Sequence, residues 1–418
     1  MRIRKVMALG ATMAIVLGAC SSPGASTAPS SAASSGPTTA PSTGASAAPS
    51  APAATGQATL GAGEGALNLV AWAGYVVGGT GGEQVQGYDW VTPFETATGC
   101  KVTVKVGLDS GNMVQLMKTG QYDGVSASGD ATLRLISGGD VAPVNFDLIP
   151  NYKDVFAGLK NQSYNTVNGV GYGVPHGRGA NVLMYDPTVV KTVPDSWSVV
   201  FDANSPYKGK VTAYNYLIYI ADAALYLMKT QPDLKITNPY SLDKDQLAAA
   251  VALLKVQKTL IGKYWSTAQE EIDGFVNGDM AIGSAWLYQQ NTINAAGGKQ
   301  VASVTPKEGA TGWSDTWMIS SQAKHPNCMY KWMDYIISPK ANADVTVYFG
   351  EAPVSAAACA EAEKQSKGFC DQFHAADESY FKNIWYWNTP TTSCLDGRGD
   401  ICTDLDAWSK AWTDITGS

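Results

Sequence analysis

Residue types capable of recognition chemistry concentrate in residues 304–319, VTPKEGATGWSDTWMI. A turn built from Pro306, Gly309 and Gly312 delivers Trp313, Asp315 and Trp317 at alternate positions, so an extended segment projects all three to one side. One carboxylate flanked by two indoles is a receptor for a cation. The carboxylate supplies the counter-charge, and each ring face adds about 0.5 to 2 kcal/mol where water is excluded. The plainer reading is a half-buried strand with its aromatics in the core and Asp315 in a turn. The rest of the chain has to decide between the two.

Other chemistries find less support. Residues 124–129, GVSASG, place Ser128 where a Gly-x-Ser-x-Gly elbow needs its second glycine. His176, His325 and His374 are scattered and no CxxC accompanies them, which argues against a metal. Nothing in the sequence pairs His176 with a nucleophile, and Glu270 with Glu271 reads as a solvated helix flank. The chain is expected to be no enzyme and to need no cofactor.

The elements that must position Asp315 alternate between strand and helix. Residues 67–72 (LNLVAW), 101–106 (KVTVKV) and 122–128 read as strands, and 89–97, 110–119 and 131–137 as helices. The expected fold class is therefore α/β with largely parallel sheets. In such sheets a ligand lies beyond the carboxyl ends of strands, beside helix N-termini, and Trp72, Tyr75, Ser128 and Asp130 fall at such ends. Taken singly, Ser128 is a helix cap and Asp130 a first-turn acid serving the macrodipole. Residues 171–186, GYGVPHGRGANVLMYD, read as a crossing from one lobe to another. Beyond it come a strand at 210–214, helices at 218–229, 244–257 and 267–277, and a strand at 280–284 that delivers Trp286. Helices at 330–337 and 340–349 and a cysteine-rich tail complete the chain. A second lobe, 178–308, is thus inserted into a first, 65–177 plus 309–418, and the cleft between two hinged lobes is the natural ligand site.

The N-terminus gives an address. Arg2, Arg4 and Lys5 precede an apolar run within residues 1–19, a signal peptide too short to be a lasting membrane span. Leu17-Gly18-Ala19-Cys20 resembles the bacterial lipoprotein box, which implies cleavage before Cys20 and a lipid on its thiol. Residues 20–64 are expected to form a disordered tether, of which 21–56 contain only Ser, Ala, Pro, Thr and Gly. Those 36 residues would span roughly 30 to 36 Å as a coil and at most about 120 Å when straight. Removing residues 1–19 takes three basic residues and no acidic one, moving the net charge from −7 to −10. An acidic exterior argues against nucleic acid and anionic lipid as partners and mildly favours cationic ligands. Six further cysteines in an exported chain make three disulfides the default. Of fifteen connectivities, local loops favour Cys359 with Cys370 and Cys394 with Cys402, which leaves Cys100 with Cys328.

At this point the pattern resembles the extracellular solute-binding proteins of ABC importers, and within them the spermidine/putrescine-binding family, over residues 66 to about 390. The motifs that carry the resemblance are LVAWAGYV, GYGVPHGRGANVLMYD, GDMAIGSAW and TPKEGATGWSDTWMI. It implies a type II two-lobed fold with two mixed, mostly parallel sheets joined by a hinge, and a monomer that delivers its ligand to a membrane permease. It implies aromatic contacts from Trp72, Tyr75, Trp286 and Trp313, an amine bound by Asp315, and a contact from Ser128. The chain departs from the family by carrying Asp130 two residues after Ser128, Glu351 in FGEAP, and Asn215 and Tyr219 in place of an acidic cluster, with no carboxylate there until Asp222. A di- or polyammonium ligand would therefore set its ends against Asp315 and either Asp130 or Glu351. If Arg178 points into the cleft, a zwitterion such as an amino-acid derivative fits better, because a guanidinium forks onto carboxylates and repels ammonium. Otherwise Arg178 pairs with a neighbouring carboxylate. A sensor or adhesin keeping the same fold remains an alternative to import.

Overall fold

The computed structural model describes residues 57–417. The expected signal peptide, the expected lipidation site Cys20 and the stretch 21–56 lie outside the described residues. Ala66–Ala71 begins the body and buries Leu67, Leu69, Val70 and Ala71 completely, as a strand covered on both faces must. It pairs in parallel with Lys101–Val106 on one side and Gly124–Ala127 on the other. Lys101–Val106 forms the edge, turning Val102 inward and Lys101, Thr103 and Lys105 to solvent. Edge lysines discourage further strand addition. Thr316–Ile319 and then Val174–Pro175 complete this five-stranded sheet in antiparallel sense.

A second five-stranded sheet repeats the plan. Ile261–Trp265, Val211–Tyr214 and Ile282–Ala285 run parallel, and Val182–Tyr185 and Ala302–Val304 add antiparallel. Each sheet thus has two parallel and two antiparallel pairings, where the alternation of strands and helices suggested largely parallel ones. The antiparallel strands are those that carry the chain out of one sheet and back. Segments 174–185 and 302–319 stay paired as a ribbon through both sheets, with Val174 opposite Trp317, Ala180 opposite Gly312 and Tyr185 opposite Ala302. In the middle of that ribbon Ala310–Trp313 is flanked by Gly179–Ala180 and by Ile384–Tyr386, forming a third sheet of three strands.

The expected single extended segment through Trp313, Asp315 and Trp317 therefore breaks. Ala310–Trp313 and Thr316–Ile319 belong to different sheets, and Ser314 and Asp315 bridge them. Trp317 turns into the core of the first sheet, fully buried and edge-on to Trp332 at 5.5 Å, so it does not flank Asp315 in a cleft.

Three disulfides join Cys100 to Cys328, Cys359 to Cys370 and Cys394 to Cys402. The first ties the edge strand to the helix Pro326–Ile336 across a sequence separation of 228. Residues 57–64, expected to belong to the tether, are pinned to that same helix. Glu64 accepts from the backbone N–H groups of Asn327 and Cys328, each at 2.9 Å, which satisfies donors the helix start leaves free. The tail also departs from its expected place in the first lobe. From Cys394 onward it packs on the second sheet's helices: Arg398 Nη1 lies 3.2 Å from Asp243 Oδ2, and the helix Leu405–Thr416 buries Trp408, Ala411, Trp412 and Ile415. That helical spacing makes one apolar face, and Trp412 meets Tyr219 and Tyr264 edge-on. Glu271, read as a solvated flank, is fully buried with neither oxygen partnered. No helix among the described residues is long and apolar enough to cross a membrane.

Candidate ligand-binding site

The carboxyl ends of strands from both main sheets converge on one cavity of about 300 Å³. The first sheet contributes Trp72 after Ala66–Ala71, Leu108 after Lys101–Val106 and Ser128 after Gly124–Ala127. The second contributes Tyr214 at the end of its strand, the turn from Ser266 to Gln269, and Trp286. Trp313 and Asp315 enter from the ribbon, and Tyr288, Phe349 and Trp387 close the remaining sides. Strand order in both sheets thus aims loops at the same space, as expected where open α/β sheets bind ligands.

Asp315 sits in the wall of this cavity, 4 % exposed. Ser128 Oγ donates to its Oδ1 at 2.6 Å and Tyr75 Oη to its Oδ2 at 2.8 Å. Ser128 opens the helix Gly129–Ser137 without capping it through its side chain, because the hydroxyl is committed to Asp315. Burial pushes the Asp315 carboxyl up to about 7, and the nearby Glu351 adds to the rise; the hydrogen bonds from Ser128 and Tyr75 hold it back. No lysine or arginine is among the described residues lining the cavity, so the carboxyl has no basic partner there.

Behind Asp315 runs a buried chain of polar groups. Trp317 Nε1 donates to His176 Nδ1 at 2.8 Å. An indole N–H can only donate, so the His176 proton resides on Nε2, which faces Glu351 Oε1 at 3.3 Å without the alignment of a full hydrogen bond. Glu351 Oε2 lies 3.5 Å from Tyr75 Oη, and the Tyr75 ring stacks on His176 at 4.0 Å. Burial, then the two carboxylates, drive the Tyr75 hydroxyl well above its ordinary range, so it stays protonated as the donor to Asp315. Two glycines of the crossing admit this packing. A Cβ on Gly177 would come within 2.4 Å of Glu351 Oε2, and one on Gly179 within 2.5 Å of Trp313.

Of the residues singled out from the sequence, Trp72, Ser128, Trp286, Trp313 and Asp315 line the cavity together. Tyr75 and Glu351 stand one layer behind, fully buried, so Tyr75 serves Asp315 instead of offering a ring face and Glu351 reaches no ligand end. Asp130 is also buried away from the cavity, accepting from Ser110 Oγ at 2.9 Å, and burial raises its carboxyl to about 6. Arg178 points away too. Its Nη2 meets Glu378 Oε1 and the Ala375 carbonyl at 3.0 Å each, and its guanidinium lies over Phe381 at 3.5 Å. Asn215 is exposed and bonds Ser266 Oγ, and Tyr219 is buried with its hydroxyl accepting from Gln257. Tyr214, Trp387, Phe349, Tyr288 and the 266–269 turn were not singled out. Tyr214 ends a recognised strand and follows the same carboxyl-end rule as Trp72, whereas Trp387 lies in a tail whose path nothing local reveals.

A two-sheet α/β body with a strand-end cavity between its sheets, connected by a paired ribbon, defines a solute-binding architecture. Residues 89–368 match the bacterial extracellular solute-binding proteins, and the chain belongs to that family, one of binding proteins and not of enzymes. The chain is 25% identical over 286 residues to the putrescine/agmatine-binding protein of Pseudomonas aeruginosa, covering 63% of this chain and 75% of that protein. It is 25% identical over 329 residues to the putrescine-binding periplasmic protein PotF of Escherichia coli, covering 74% and 84%. In fold it resembles the spermidine/putrescine ABC transporter substrate-binding protein PotD of Streptococcus pneumoniae, with a TM-score of 0.64 at 17% identity over 84% of this chain and 97% of that one. The TpPotD lipoprotein of Treponema pallidum gives 0.63 at 15% identity over 84% and 100%.

Proposed function

We propose that this protein captures a small organic cation of the polyamine type in the cavity at Asp315 and presents it to the permease of an ABC importer. The observation that carries the reading is one buried carboxylate, bonded by Ser128 and Tyr75, that lines a cavity together with Trp72, Trp286 and Trp313. An ammonium there gains a charge partner and ring faces at once, and exclusion of water strengthens both. The names of the Pseudomonas and Escherichia relatives support putrescine-like amines as the first ligands to test. We further propose that the two sheets belong to two lobes hinged at the ribbon, that Cys20 carries a lipid, and that the stretch 21–56 tethers a monomeric receptor to the outer face of the cell membrane. Arg178, paired with Glu378, leaves no guanidinium in the cavity for a ligand carboxylate.

Calorimetry against putrescine, spermidine, basic amino acids and neutral sugars tests the reading. Micromolar or tighter binding of amines, with no heat from sugars, is the expected outcome. Binding of a neutral sugar in place of amines would overturn it.

A further inference from the structure

Resting on that reading, the cavity can be asked how many charges its ligand carries. Among the described residues, Asp315 is the one carboxylate lining it. The acids that sequence position offered for a second ammonium are engaged elsewhere: Asp130 with Ser110, and Glu351 behind Tyr75. Asp222 does not line this cavity but a small adjoining one that shares Tyr214, Trp286 and Trp387 with it, and there it accepts from Thr311 Oγ1 at 2.9 Å. Asp109 is turned to cap the helix Ser110–Lys118. On the second-sheet wall the cavity meets Thr267, Ala268 and Gln269, the start of the helix Ala268–Asn277. Two acids of that helix are engaged locally: Glu270 is folded back onto the N–H groups of Ser266 and Thr267, and Asp273 accepts from Gln269 Nε2 at 2.8 Å.

We propose that the cavity holds its ligand through one ammonium only, at Asp315, and that the preferred ligand is an organic monocation whose remaining body is uncharged and lies along the rings of Tyr214, Trp286 and Trp387. A second ammonium entering this space leaves water without meeting a carboxylate. Ring faces attract it far less than the lost hydration and charge partner would. A ligand whose far end is an amide or an aryl group has no such loss, and an amide oxygen can accept from the N–H groups at the helix start.

The test compares putrescine with N-acetylputrescine, the same chain with one charge removed, by calorimetry at pH 8 on the wild-type protein and on Gln269→Glu. The wild type should bind N-acetylputrescine at least about tenfold tighter than putrescine. Gln269 lines the far wall and its Nε2 donates to Asp273 Oδ1 at 2.8 Å, so Gln269→Glu, which removes that donor and adds a carboxylate beside Asp273, should narrow or reverse that ratio. Putrescine bound as tightly as its acetylated form by the wild type, or a ratio unmoved by Gln269→Glu, would overturn the single-charge proposal while leaving the cation site intact. Failure of both amines, with a neutral sugar bound instead, would overturn the cation reading and this proposal with it.

Discussion

Tyr75 and Asp315, 240 residues apart in sequence, meet at 2.8 Å through the tyrosine hydroxyl and Oδ2 of the carboxylate. Tyr75 has a single hydrogen to donate, and Glu351 at 3.5 Å is the more distant acceptor, so the bond goes to Asp315. The pair joins the end of the first strand to the break in the crossing ribbon. It fixes the orientation of a buried acid in the cavity wall and favours its charged form.

Tyr75→Phe removes that donor while keeping the ring stacked on His176. A hydrogen bond to the charged form lowers a carboxyl's proton affinity, so its loss should raise Asp315 further. Cation affinity is expected to fall about tenfold at pH 7 and by less at pH 9, where Asp315 ionises regardless. A loss of the same size at both pH values would show that Tyr75 acts through packing alone.

Protonation should couple to capture. Burial raises Asp315 to about 7 in the free protein, so below that pH a cation must displace a proton, and affinity should decline as pH falls from 7 to 5. The stability of the free protein should run the other way. Asp315 and Asp222 are both raised from 3.8 to about 7, and Asp130 to about 6, so the folded state binds more protons than the unfolded one between about pH 4 and 7. Stability contributed by these groups is complete below pH 4 and is lost as pH rises through 7. Thermal melts across this range should show an amine ligand raising Tm more at pH 8 than at pH 5. An equal ligand-induced rise at both ends would contradict the linkage.

Glu271 offers a stability test separate from binding. Both of its oxygens are buried without a partner, and burial alone drives its carboxyl well above the ordinary range. Glu271→Met keeps the volume and removes the desolvated group, so it should stabilise the protein by about 1 to 3 kcal/mol at pH 8 and by less at pH 5. Chemical denaturation at the two pH values measures it, and a destabilised variant would show that Glu271 has a role its surroundings do not display.

Much of the scaffold is legible in local pattern. The apolar run ending at Trp72, the alternation of KVTVKV and the amphipathic helix after Asp243 each form where their spacing places them. Trp72, Ser128 and Trp286 were legible for the same reason, since strand ends in α/β sheets face ligands. What local pattern misses is set by partners far away in sequence. Trp317 turns from the cavity because the ribbon changes sheets between Trp313 and Thr316. Asp130 and Glu351 have the charge a ligand would want, but they are buried against Ser110 and Tyr75 and do not line the cavity. Trp387 reaches the cavity because Ile384–Tyr386 joins the ribbon, a pairing invisible in a cysteine-rich tail.

The central claim is that Asp315 supplies the counter-charge for the ligand. Titrating an amine that the wild type binds into Asp315→Asn at pH 8 measures it directly, because the amide keeps the size of the side chain and loses the charge. A loss of at least about 2 kcal/mol, roughly thirtyfold in Kd, is the predicted result. Unchanged affinity in Asp315→Asn would contradict the account.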